Sequence, residues 1–356
     1  MSMLLGLEAI KGVSGCPVLS LRSFWAFLFP GVCCFLSVPL NAQDVVFLQA
    51  DQPGVTPRKK SGQILDYTAR QLVLRQSSGR EVALEASQVL EVKTKKLPTH
   101  VKADQAFSEQ RLREALDLYR EAAKEEDRAW VRHEIKAMQV WCYRHLGSFD
   151  GAAKVFLAIL QEEPQMRHFD AIPLAWTSVR LTSTAKQVGE AWLTAADNSI
   201  ATLIAASWLL TTPGSGGQNA LRRLANVKDA RVAFLARAQQ WRTKVVSAKR
   251  KDVSQWQEVV RRMPSALRAG PYYVVGRTLT RLDDHEHAAI ALLRIPILYP
   301  RQRALSVQAL MSVARSLESV KREEQAVSIY RELLIDYPEA GLRSEIEQRL
   351  ERLSGA

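Results

Sequence analysis

The first regular pattern after residue 42 alternates apolar and polar positions with a period of two. Short alternating runs, separated by Pro and Gly, predict five β-strands over residues 43–97. Ile64, Leu72 and Leu74 share one apolar face, and a turn follows at Gly79. We therefore expect a small, half-buried antiparallel sheet. The predicted strands are 45–48, 62–66, 71–75, 81–84 and 89–93.

From residue 98 onward the apolar positions follow a helical period, and the chain is self-similar at a spacing of about 34 residues. Four units recur, over 96–129, 133–166, 269–302 and 307–340. In each, a small alanine lets two helices approach closely, and a large residue one turn later fills the gap. The alanines are Ala115, Ala152, Ala288 and Ala326, and the large residues are Tyr119, Phe156, Leu292 and Tyr330.

The pattern fades over 167–268 but remains helical, which predicts that the array continues. The glycine-rich stretch 213–217 predicts a turn between two antiparallel helices. A phosphate-binding loop would need Lys and Ser or Thr after the glycines, where Gln218-Asn219-Ala220 stand instead. The helices predicted here span 184–193, 199–210, 218–225, 231–246 and 253–263.

The repeated positions are those of the tetratricopeptide repeat (TPR), and the chain resembles that family over about 96–166 and 269–340. The resemblance implies a mainly α protein: a TPR-like α-solenoid of helical hairpins over 98–352, whose concave groove binds peptides or proteins without doing chemistry. The strand pattern of 43–97 resembles a small SH3-like or Sm-like β-barrel. Such a module either caps the helices or binds something itself.

Residues 1–42 have the features of a secretory signal. Lys11 and Arg22 precede an apolar run over 24–38, and Ala42 offers a cleavage site. The run is shorter than the roughly 20 residues of a membrane span, although an uncleaved anchor or a lipoprotein is an alternative. We expect export to the periplasm or cell envelope, with no transmembrane span in the mature chain. The signal, β module and divergent repeats together resemble uncharacterised exported proteins of Planctomycetes.

The formal charge of +12 is concentrated between residues 222 and 268, a segment with thirteen basic and three acidic residues. Such a density would attract anions if the side chains share a face. An anionic envelope polymer or lipid headgroups are the candidate ligands, and nucleic acid is a poor one for an exported protein. The alternative is a solvated surface that only aids solubility. The predicted anion-binding residues are Arg242, Lys244, Lys249, Arg250 and Lys251.

Residues that could carry catalysis are scarce. His285 and His287 stand two positions apart, a spacing that does not put two ligands on one helical face, so we predict no metal site. Cys142, between Trp141 and Tyr143, is predicted to be a buried hydrophobe, and no catalytic triad stands out. We therefore expect a protein that is not an enzyme and has no cofactor. An enzyme using a site on the β module or the basic segment is the alternative.

The repeat register selects candidate partner-binding residues on the first helices of the last two units. Positions spaced by four form a stripe on each helix, and adjacent repeats place the two stripes side by side. Arginines there would bind a partner's carboxylate while an aromatic ring and a methionine cover its apolar part. Alternatively, the arginines pair with acids on neighbouring helices. The predicted partner-binding residues are Tyr273, Arg277 and Arg281, with Met311 and Arg315.

Overall fold

The computed structural model describes residues 43–49, 56–338 and 341–354. The predicted signal, residues 1–42, lies outside these ranges. Residues from Ala42 to Ala356 form one compact unit. It is mainly helical and begins with a five-stranded antiparallel sheet, as the sequence pattern predicted.

The strands of the sheet are β1 (Asp44–Leu48), β2 (Arg58–Tyr67), β3 (Gln71–Arg75), β4 (Glu81–Glu85) and β5 (Val89–Lys93). Their order is β4-β3-β2-β1-β5, so the first strand pairs with both the second and the last. The long strand β2 contacts β1 with its first half and β3 with its second half, and a bulge lies between Ile64 and Asp66. A short 3-10 turn connects β4 to β5.

Fourteen α-helices follow within the described part of the chain, and most of their contacts are with the next helix in sequence. They are α1 (Pro98–Ser108), α2 (Leu112–Glu125), α3 (Ala129–His145), α4 (Phe149–Glu162), α5 (Ser183–Ala195), α6 (Ser199–Leu209), α7 (Gly217–Leu224), α8 (Ala230–Trp241), α9 (Arg250–Arg262), α10 (Ala269–Arg281), α11 (His285–Leu298), α12 (Arg303–Ser319), α13 (Glu323–Asp336) and α14 (Arg343–Ser354).

The four units predicted from the 34-residue spacing are the hairpins α1–α2, α3–α4, α10–α11 and α12–α13. Each turn contains one left-handed residue: Gln110, Gly147, Asp283 or Lys321. The next amide then donates to the carbonyl five residues earlier, as in a Schellman turn. These hydrogen bonds run from Arg111 to Ala106, Ser148 to Tyr143, Asp284 to Leu279 and Arg322 to Leu317.

The packing positions predicted for these hairpins are confirmed. All four alanines and the four large residues that follow them are fully buried. Because an alanine offers only a methyl group at the contact, the two helices of a hairpin can approach closely there.

The middle of the chain contains α5 to α9, and the largest departure from the predicted boundaries is the end of α8. The glycine-rich stretch joins α6 to α7 as expected. Helix α8 was predicted to reach residue 246 but ends at Trp241. Beyond it the backbone makes tighter turns, in which the Lys244 amide donates to the Trp241 carbonyl at 2.9 Å.

An extended segment between α4 and α5 runs through the interior, and residues 171–175 are all buried. Side chains of α6 and α8 hold its backbone. Trp208 Nε1 donates to the Pro173 carbonyl at 2.8 Å, and Ser207 Oγ accepts from the Ala175 amide at 3.1 Å. Gln239 Nε2 donates to the Ala175 carbonyl at 3.1 Å. The segment therefore packs against α6 and α8, an arrangement that the sequence pattern did not predict.

The sheet and the first helices share one hydrophobic core. Val46, Leu72 and Leu74 from the strands belong to the same buried cluster as Tyr119 of α2 and Trp130 of α3. The strands thus cover the beginning of the helical array. In the described ranges, every helix is too short or too polar to cross a bilayer.

Candidate partner-binding surface

The predicted partner-binding residues divide into an exposed and a buried group. Arg277 and Arg281 on α10, with Arg315 on α12, are exposed. Tyr273 and Met311 are only 4% and 3% exposed. The prediction that these two side chains cover a partner's apolar group is therefore corrected, because both point into the core between the helices and offer no surface.

Three arginines act electrostatically on the Tyr273 hydroxyl. Burial raises the pKa of Tyr273, while the positive charges of Arg277, Arg242 and Arg315 act in the opposite direction. The guanidinium carbon of Arg277 lies 5.9 Å from the centre of the Tyr273 ring. Arg242, predicted as part of a separate anion-binding segment, thus belongs to the same positive cluster as the groove residues.

The three exposed arginines differ in their partners. Arg315 Nη2 pairs with Glu345 Oε1 of α14 at 2.5 Å, and this contact lowers the pKa of Glu345. Arg281 donates to the Ala248 carbonyl. Arg277 makes no ion pair with any acid in the described ranges. The alternative of pairing with acids on neighbouring helices therefore holds for Arg315 but not for Arg277.

Among the predicted anion-binding residues, the two arginines bind other groups of the protein, whereas the three lysines form no ion pair with a described residue. Arg242 donates to the Ser207 carbonyl at 2.8 Å, the Thr177 carbonyl at 3.2 Å and Gln239 Oε1 at 2.7 Å. Burial lowers its pKa to about 10. Arg250 Nη1 pairs with Asp284 Oδ2 at 2.9 Å. The remaining residues, Lys244, Lys249 and Lys251, are exposed and form no ion pair with a described residue.

A cavity of about 90 Å³ lies beside the arginine cluster, where the extended segment leaves the interior. Trp176 lies on this segment outside any helix, so no helical period places its side chain on a face. In the sequence, this segment stands out only as an apolar run broken by Pro173. The cavity is lined by residues that include Trp176, Thr177, Thr211, Arg242, Tyr273 and Arg277.

A second, more apolar cavity of about 540 Å³ lies between α11, α12 and α13. Ile290 and Val320 line it and are 55% and 39% exposed. An ion pair at its rim joins Arg322 Nη2 to Glu286 Oε1 at 3.2 Å. The sequence analysis assigned Ile290 and Val320 no role, since isolated exposed apolar residues are common on helices.

The other candidate chemical groups occupy ordinary structural positions. His287 Nδ1 lies 2.7 Å from Asp284 Oδ1 at the start of α11. No group of three or more His, Cys, Asp or Glu side chains among the described residues could hold a metal ion. Cys142 is buried, and burial raises the pKa of its thiol to about 12.

Five of the tryptophans lie in the hydrophobic core. These are Trp130, Trp141, Trp208, Trp241 and Trp256, each no more than 7% exposed.

Comparison with known proteins identifies no relative of this chain: no family model matches it, and no curated protein matches it.

Proposed function

We propose that this protein is an exported, non-enzymatic scaffold whose TPR-like α-solenoid binds a protein or peptide partner at the inner face of α10 and α12. The shared turns and buried alanines of four hairpins support the repeat architecture. The exposed guanidinium of Arg277, beside the Tyr273 hydroxyl and without an acid partner in the described ranges, supports the binding site.

The contacts assign different roles to the predicted groove residues. Arg277 offers its charge to the partner, and Arg315 can exchange its exposed pair with Glu345 for a partner carboxylate, since exposed ion pairs contribute only about 0 to 1 kcal/mol. Tyr273 and Met311 act from beneath, by fixing the helix positions. A partner segment carrying carboxylates fits this surface, because guanidinium groups bind carboxylates with paired hydrogen bonds.

The N-terminal parts complete the proposal. A strand order in which β1 pairs with both β2 and β5, with β2 shared by two halves of the sheet, supports a small SH3-like barrel. Its core is continuous with α1 to α3, which supports a role in capping the array. The apolar run over 24–38 and the small residue Ala42 support export to the periplasm or envelope.

The proposal predicts the behaviour of a double variant in partner capture. Arg277→Ala combined with Arg315→Ala should weaken capture from envelope extract at least tenfold, or about 1.4 kcal/mol, while thermal unfolding stays unchanged. Arg331→Ala, an exposed arginine on α13, is the matched control. Quantitative pull-down measures the effect, and undiminished capture of the same partners by the double variant would refute the site.

A second candidate is binding to an anionic polymer or lipid surface through the stretch 244–251, which is favoured by its three exposed, unpaired lysines. Lys244→Gln, Lys249→Gln and Lys251→Gln together should lower binding to phosphatidylglycerol vesicles at least tenfold, since each lysine near such a surface contributes about 1 kcal/mol. The same changes at Lys102, Lys124 and Lys154, which are also exposed, are the control. Co-sedimentation that is equal for both triple variants would exclude this candidate.

A further inference from the structure

Another small cavity of about 90 Å³ shares Trp176 with the cavity beside the arginine cluster. It is bounded by the end of α3, the extended segment and the loop between α11 and α12. Its walls are mostly aromatic and aliphatic, so a bound molecule would meet an apolar surface there. They include Trp141, Phe149, Leu174, Trp176, Val179 and Leu305.

The charged groups in this lining are all positive at neutral pH. Arg144, Arg301 and Arg303 line the cavity, together with His145, and no carboxylate does. Arg303 is directed elsewhere: its Nη2 donates to the Asp336 carbonyl at 2.6 Å, and its guanidinium carbon lies 4.5 Å from the centre of the Tyr337 ring. Arg144 and Arg301 are therefore the cations that a ligand in the cavity would meet.

Arg144 is held in place without a counter-charge. Its guanidinium carbon lies 4.2 Å from the centre of the Trp141 ring, and its Nη2 donates to Gln302 Oε1 at 2.7 Å. Neither partner carries a negative charge. Burial lowers the pKa of Arg144 to about 10, whereas the ion pair with Glu126 raises the pKa of Arg128.

The acid nearest in electrostatic effect does not line the cavity. Asp170 acts electrostatically on both Arg144 and Arg301, but it forms no ion pair with an arginine in the described ranges and is not part of the cavity wall. Arg301 is exposed, and its side chain forms no hydrogen bond or ion pair with a described residue. One half-buried and one exposed guanidinium thus remain available to the same cavity.

We propose that this cavity binds a carboxylate with a short apolar tail. Arg144 and Arg301 would bind its two oxygens, and Trp141 and Trp176 would enclose the tail. The proposal goes beyond the partner-binding surface of α10 and α12, because it uses different arginines. The carboxylate can belong to a free small acid or to the end of a peptide. A small acid is therefore the simplest probe.

The test is a titration of the full chain with sodium propionate against sodium chloride at matched ionic strength. The indole N–H signals of Trp141 and Trp176 in two-dimensional NMR are the readout. We expect saturable shifts in the parent and at least tenfold weaker binding in Arg301→Gln. Arg331→Gln, an exposed arginine on α13, should bind as the parent does. Shifts that do not saturate, or equal affinity in Arg301→Gln, would overturn the proposal.

Two further titrations distinguish a carboxylate from phosphate as the ligand, and this cavity from the partner-binding surface of α10 and α12. Inorganic phosphate lacks an apolar tail, so phosphate binding at lower concentration than propionate would overturn the carboxylate assignment. Arg277→Ala with Arg315→Ala should leave propionate binding unchanged, because neither residue lines this cavity. Loss of propionate binding in that double variant would show that the arginine cluster, and not this cavity, takes the acid, and would also overturn the proposal.

Discussion

His133 lies between two carboxylates at the end of α4. Its Nδ1 is 2.9 Å from Glu163 Oε2, and its Nε2 is 3.0 Å from Glu162 Oε2. Its side chain is only 12% exposed. The hydrogen bonds to these carboxylates raise the pKa of His133, with Glu163 making the larger contribution. The imidazole therefore links α3 to the end of α4 in the second hairpin.

This geometry predicts a stability contribution that depends on pH. A raised pKa in the folded state gives stability that is fully present below the unfolded value of about 6.5 and is lost as pH rises through the folded value. His133→Gln should therefore lower the free energy of unfolding more at about pH 5.5 than at about pH 9, by about 1 to 2 kcal/mol at the lower pH.

Denaturant unfolding at the two pH values measures this difference. His287→Gln is the control, since the pair between His287 and Asp284 has an exposed imidazole and should contribute little. An equal cost of His133→Gln at both pH values would show that the imidazole is not charged between the two glutamates.

At single positions, the sequence was informative where a residue's environment follows from its own helix. The fully buried Ala326 and the exposed Arg277 both followed from the repeat register. Tyr273 and Met311 were misassigned because their burial depends on how the next hairpin stacks. Local periodicity places a residue on a face of its helix, but does not show how far the neighbouring hairpin covers that face.

At the scale of helices and strands, elements were predicted correctly where several features of neighbouring residues indicate the same structure. The hairpins combine a small contact residue, a large residue one turn later and a left-handed turn residue. Strand alternation predicted the five-stranded sheet in the same way. The extended segment 171–175 was missed because its buried backbone is satisfied by Ser207, Trp208 and Gln239, which are 32 to 64 residues away in sequence.

The close approach inside the last hairpin can be tested directly. Ala326→Leu adds bulk at a fully buried contact beside Tyr330 and should destabilise the chain by about 1 to 3 kcal/mol. Arg331→Leu places the same side chain on the exposed face of α13 as the control. Thermal unfolding compares the two variants, and an unchanged midpoint for Ala326→Leu would mean that α12 and α13 do not meet at this alanine.

Across the whole molecule, contacts join helices that are far apart in the sequence. Arg144 at the end of α3 donates to Gln302, 158 residues later, and His145 Nε2 lies 2.7 Å from the Arg301 carbonyl. The helical array therefore brings its second hairpin against the loop between α11 and α12. No local pattern in the sequence encodes this contact, which forms one of the two small cavities that Trp176 lines.

The same long-range arrangement explains the mixed outcome for the candidate sites. Arg242 was predicted to belong to a solvent-facing basic segment, but its guanidinium turns inward to the Ser207 and Thr177 carbonyls. It thereby joins Arg277 near the Tyr273 hydroxyl. The net charge of a segment follows from the sequence. Which hydrogen-bond and ion-pair partners each charged side chain finds depends on how the helices pack.

The central claim is that a partner binds on the inner face of α10 and α12. Photo-crosslinking tests it directly, with a photoreactive phenylalanine analogue placed at Ser319, an exposed residue one turn after Arg315 on α12, or at Arg331 in cells that naturally produce the protein. Both positions leave Arg277 and Arg315 intact. We predict a light-dependent protein adduct at position 319 and none at position 331. An absence of adducts at 319, or adducts of equal yield at 319 and 331, would contradict the account.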